Sequence, residues 1–116
     1  MKEQDKVKPI KVTYNDTGIT YTLEFNRESV KYAESKGFIL EDIATKPLST
    51  IPDLWFYAFR MHHKMLPREK ADKLLDGLGK ISTELITRLA ELYVIPYEVF
   101  TQGDEQPKNA KVVVEL

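Results

Sequence analysis

The spacing of apolar positions changes along the chain. Ile10, Val12 and Tyr14 alternate with Lys11 and Thr13, and Ile19, Tyr21, Leu23 and Phe25 alternate again after Asn15-Asp16-Thr17-Gly18. A period of two belongs to a half-buried strand. The residues between have turn chemistry, because Asn and Asp side chains bond their own backbone and Gly accepts a positive φ. The pattern predicts a β-hairpin over residues 8–25. A lone hairpin is marginal in water, so its apolar face needs the helices that follow.

Beyond Asn26 the period lengthens to that of a helix. Asn26 is a natural N-cap, Gly37 suits the C′ position, and Val30 and Ala33 supply the inner side of a short helix over 27–36. Phe38, Leu40 and Ile43 read as buried anchors of an irregular connection. The most apolar and aromatic stretch, STIPDLWFYAFRMHHKM, then runs from Ser49 to Met65. Ser49 or Thr50 as cap, Pro52 in the first turn and Asp53 at the positive end predict a helix over 51–65. Ile51, Leu54, Trp55, Ala58, Met61, His62 and Met65 merge into its core-facing stripe. Phe56, Phe59 and His63 form a second cluster on the flank, leaving Asp53, Arg60 and Lys64 as the polar arc. Such a helix is either central to its own fold or offers a flank to a partner.

Pro67 opens a third helix over 67–77, with Ala71, Leu74, Leu75 and Leu78 on one face and Arg68 with Asp72 and Glu69 with Lys73 as i, i+4 pairs. Ser82 caps a fourth over 83–95, where Ile81 and Ile86 hold the positions of a hydrophobic staple. Leu85, Leu89, Leu92 and Tyr93 face inward; Glu84, Arg88 and Glu91 face out. Pro96 is expected to kink or end this helix, with Tyr97, Val99 and Phe100 adding a last packed turn. Residues 103–116 read as a flexible tail whose Val112, Val113, Val114 and Leu116 either add to the hairpin edge or stay exposed. The expected fold is α+β, mainly α: a hairpin packed on a bundle of about four helices, as a single domain over 1–102.

Composition narrows the chemistry. A net charge of -1 gives no general attraction to nucleic acid or anionic lipid. The absence of cysteine removes disulfides, thiolate metal sites and a cysteine nucleophile, and fits a reducing compartment. No run reaches the ~18 apolar residues of a membrane span, and the charged N-terminus has no apolar segment behind it, so a cytosolic protein is expected.

Motifs of catalysis and metal binding are weak. His62 and His63 are neighbours and point about 100° apart on a helix, and Leu66 and Pro67 stand where i+4 ligands would be. Glu41-Asp42 and Asp104-Glu105 are adjacent pairs rather than carboxylates held across a substrate. Gly77 and Gly79 lack the Lys and Ser/Thr pattern of a phosphate-binding loop. No catalytic residue, cofactor or metal is therefore expected, and the chain is read as a non-enzyme. The third and fourth helices offer an alternative, a small helix-turn-helix regulator binding DNA. Glu84 and Glu91 on the outward face, offset only by Arg88, argue against it.

The hairpin ending in Phe25-Asn26-Arg27, the segment SVKYAESKGF, the helix LWFYAFRMHHK and the closing TRLAELY resemble the small tail assembly chaperones of long-tailed siphophages over roughly residues 10–100. The resemblance implies a binding protein of the host cell cytoplasm. It would coat the tape measure protein and keep it soluble until tail tube protein polymerises around it. A longer form made by ribosomal frameshifting, with the tail as junction, belongs to the same pattern, and self-association into a homo-oligomer fits it. Phe56, Tyr57, Phe59 and His63 on the central helix, with Tyr97 and Phe100 further on, are the expected partner-binding residues.

Overall fold

The computed structural model describes residues 7–101 and residue 115. The expected tail over 103–116, with its terminal strand, falls almost wholly outside the described residues. The architecture is α+β, mainly α: an antiparallel hairpin, β1 (Ile10–Tyr14) and β2 (Ile19–Leu23), followed by four α-helices. These are α1 (Arg27–Ser35), α2 (Pro47–Ala58), α3 (Arg68–Asp76) and α4 (Thr83–Thr101), with a short 3-10 helix, Leu40–Ala44, before α2.

Alternation sets the hairpin register. Val12 pairs with Tyr21 and Ile10 with Leu23, which puts the apolar residues on one face. On the other face the Thr13 and Thr20 hydroxyls bond at 2.8 Å and Lys11 Nζ donates to Thr22 Oγ1 at 2.9 Å. The turn needs its glycine, since Gly18 sits at φ 75° and its N–H reaches the Tyr14 carbonyl at 2.8 Å.

Helix α1 is fixed at both ends. The Asn26 side chain accepts the Ser29 N–H at 2.8 Å while Ser29 Oγ accepts the Asn26 N–H at 2.9 Å, a reciprocal cap. At the other end Gly37, at φ 86°, donates to the Glu34 carbonyl, and Phe38 N–H donates to that of Ala33. This Schellman closure turns the chain so that Phe38 packs into the core beside buried Ala33.

The central helix differs from its expected span over 51–65. Pro47 takes the first helical position after Lys46, so α2 starts earlier and neither Ser49 nor Thr50 caps it. It stops at Ala58 because the Ala58 carbonyl accepts the Glu24 N–H from the end of the hairpin, at 3.0 Å. Phe59 and Arg60 then donate back three residues, to Phe56 and Tyr57, tightening the chain out of the helix. The stripe expected through Met65 is cut accordingly. Met65 is 90% exposed, and His62 leaves the core to meet Glu24 Oε1 at 2.8 Å.

Trp55 is fully buried, and its indole N–H donates to the Ala71 carbonyl at 2.8 Å, joining α2 to α3. Helix α4 begins as expected, with Ser82 Oγ accepting the Leu85 N–H at 3.1 Å. It ends later than expected, continuing through Pro96 to Thr101. Pro96 has no N–H for the Leu92 carbonyl, so a single rung of the ladder is lost while the helix persists. The core runs from Leu23 and Phe25 through Leu54, Trp55 and Phe59 to Leu89, Leu92 and Tyr93.

Candidate functional site

The aromatic residues sort into two places. Phe56, Tyr57, Phe59 and His63 surround the C-terminal end of α2, where only a crevice of about 20 Å³ remains between them, Tyr32, Arg60, Lys64 and Leu66. That is room for about one water molecule. Phe59 is 1% exposed and Tyr57 8%, so both are core residues rather than the partner-binding residues expected from the sequence.

The hairpin closes this flank. Tyr21 stands edge-on to Phe59 at 5.8 Å and to His63 at 5.1 Å, and His63 Nε2 accepts the Thr22 N–H at 2.9 Å. That bond requires a neutral ring. Burial, then the neighbouring His62, pushes the His63 pKa below its ordinary value. From the other side α1 contributes Tyr32, whose ring lies under the Arg60 guanidinium at 3.6 Å, while Arg60 pairs with Glu28 at 3.3 Å. Phe56 is only partly buried, with the Arg68 guanidinium 5.4 Å from its ring.

The second place is open. A cleft of about 530 Å³ lies between the C-terminal part of α4 and the end of α1. Among the described residues its apolar lining is Phe38, Ile39, Leu40, Tyr93, Val94 and Tyr97, and its charged lining is Glu34, Glu41 and Glu98, without a cation. A second hollow of about 340 Å³ adjoins the cleft along α1, lined further by Arg27, Val30, Lys31 and Pro96. Glu34 and Tyr97 line both, and the Tyr97 hydroxyl donates to Glu34 Oε2 at the junction. Spacing explains the alignment: Arg27, Val30, Lys31 and Glu34 follow i, i+3, i+4, i+7 on α1, and Tyr93 and Tyr97 are i, i+4 on α4.

Electrostatics mark the first hollow as negative. Burial, followed by the charges of Glu34 and then Glu41, raises the Tyr93 pKa to about 12. The phenol sits at the wall of the cleft in an edge contact with Phe38 at 5.2 Å, and Phe38 touches Tyr57 at 5.6 Å. The open cleft and the closed crevice thus share one aromatic network.

Of the expected partner-binding residues, Tyr97 alone lines the cleft, at 38% exposure; Phe56 and His63 border the crevice, and the Phe100 side chain lies outside the described residues. The sequence pattern places Phe38, Leu40 and Tyr93 in the core, and in the structure they also wall an opening. Gly37 was the available signal, since a Schellman turn there aims Phe38 at α4. Among the described residues no group of three or more His, Cys, Asp and Glu is placed to hold a metal ion, and no helix is long and apolar enough to cross a membrane.

Fold and cleft together define a small, mainly helical α+β domain with an apolar, charge-edged opening between its first and last helices. The chain belongs to the family described as domain of unknown function (DUF5055), whose model matches residues 1–116. Comparison with curated proteins and with solved structures returns no match.

Proposed function

We propose that this protein is a non-enzymatic phage tail assembly chaperone, acting in the host cell cytoplasm, that binds and solubilises the tape measure protein and helps recruit tail tube subunits. The observation that carries the reading is the cleft between α1 and α4, apolar in its lining and open to solvent, on a chain whose sequence resembles those chaperones. A very long amphipathic helix exposes a stripe that aggregates unless another apolar surface covers it, and a groove beside a helix is the usual cover. The buried stripe of α2 holds the domain together, and the cleft would be the surface that takes the partner.

Co-expression with a tape measure protein from the same source tests the proposal. The expected result is a clear rise in that partner's soluble yield and its co-purification with the chaperone. Unchanged yield with both proteins well expressed contradicts it.

A further inference from the structure

The charges along α1 change sign at Glu34, which lines both hollows. On one side of it Glu41 and Glu98 stand around an apolar lining with no basic residue among the described residues; on the other, Lys31 and Arg27 flank Val30 and Pro96. An apolar stripe laid against the first hollow would leave three carboxylates facing desolvation without counter-charge. A cation on the occupant removes that cost, and the same cation is repelled at the Lys31 end. Tyr97, between the hollows and 38% exposed, offers a ring to the middle of the stripe, where aromatic anchors contribute most.

We propose that the cleft takes an amphipathic helix in one orientation, its lysine- or arginine-bearing end over Glu34, Glu41 and Glu98, its acidic end beside Lys31, and its apolar stripe across Tyr97. Only the source of that helix, the tape measure protein, rests on the chaperone reading. Charge order sets which way the helix lies and how fast it docks; the apolar lining supplies most of the affinity.

The test is fluorescence anisotropy on the full chain, with dye-labelled synthetic helices of about 18 residues, or about 27 Å. One carries a leucine stripe with lysines at one end and glutamates at the other, and the second carries the same stripe with glutamates at both ends. The first should bind at least about tenfold tighter at low salt, with the difference shrinking as salt rises. The E41K/E98K variant, changed at two exposed positions and checked for an unaltered melting curve, should lose that preference. Tyr97→Ala should weaken both helices.

Equal affinity for the two helices, or a preference that survives in E41K/E98K, overturns the proposal. So does competition by a peptide of residues 106–116, which would make the chain's own tail the occupant, or a dimer that Tyr97→Ala dissolves, which would make it a second copy. Co-expression separates the two levels. A solubility gain retained in full by Tyr97→Ala removes the cleft and spares the chaperone, whereas charge-ordered peptide binding with no gain in partner yield spares the cleft and removes the tape measure protein as its source.

Discussion

The crevice at the end of α2 and the cleft between α1 and α4 are built from the same kinds of residue and end in opposite states. Both are lined by aromatic rings in edge contact, and they are joined through Tyr57, Phe38 and Tyr93. The crevice is closed to about 20 Å³ because three elements converge on it: the hairpin brings Tyr21 and Thr22, α1 brings Tyr32 and Glu28, and the turn after α2 brings Arg60 and His63. The cleft stays open at about 530 Å³ between Phe38, Ile39, Leu40 and Glu41 on one side and Tyr93, Val94, Tyr97 and Glu98 on the other, with the carboxylates of Glu34, Glu41 and Glu98 beside its apolar lining. Aromatic content marks neither a core nor a docking surface; the neighbouring elements decide.

The comparison is broken most directly by truncating a ring in each region. Phe59→Ala should lower unfolding free energy by about 3–5 kcal/mol in chemical denaturation, as for a buried Phe. Tyr97→Ala, at a half-exposed position, should cost under about 1 kcal/mol. The reverse ranking would mean that the cleft is structural and the crevice peripheral.

Next in size is the turn that shapes the cleft. Gly37→Ala meets no atom within 4 Å of the new Cβ, so its expected cost of about 1–2 kcal/mol is the left-handed backbone alone. A thermal melt should show the loss. An unshifted melt would show that Phe38 can be aimed at the cleft without that conformation.

A smaller effect sharpens the role of His63. Its folded pKa is lowered by burial, so the neutral ring is the form the fold holds. The unfolded chain binds the proton more readily; His63 therefore imposes no penalty above the unfolded value of about 6.5, and stability falls as pH drops below that toward the folded pKa. His63→Gln keeps an acceptor for the Thr22 N–H and should flatten the decline in unfolding free energy between about pH 7 and pH 5. An equal slope in both would show that the ring does not titrate against the fold. The smallest change lies in the cleft: E34Q/E41Q should move the Tyr93 titration down from about 12, with burial still holding it above 10, as followed by NMR.

Much of the architecture was legible in the sequence. Alternation from Ile10 to Phe25 and the Asn-Asp-Thr-Gly turn encode the hairpin and its register locally, and Asn26, Gly37 and Ser82 mark helix ends through their own side chains or the lack of one. The end of α2 was not legible, because it is set by the Glu24 N–H, a partner distant in sequence that claims the Ala58 carbonyl. The persistence of α4 through Pro96 was hidden for a related reason, since a proline removes one bond and packing decides whether the helix survives it. The site followed the same division. Helical spacing correctly grouped Phe56, Phe59 and His63, but it does not say that Tyr21 of the hairpin will cover them. Tyr97 was legible as an aromatic near the end of the last helix, whereas its alignment with Glu34 depends on how α1 and α4 pack.

The central claim is that the partner helix enters the cleft and leaves the crevice closed. Backbone NMR of the full chain, titrated with the synthetic leucine-striped helix carrying lysines at one end and glutamates at the other, tests it most directly. The account predicts shifts concentrated at Glu34, at Phe38–Glu41 and at Tyr93–Glu98, with Phe56–Leu66 nearly unmoved. Shifts concentrated at Phe56–Leu66 would contradict it.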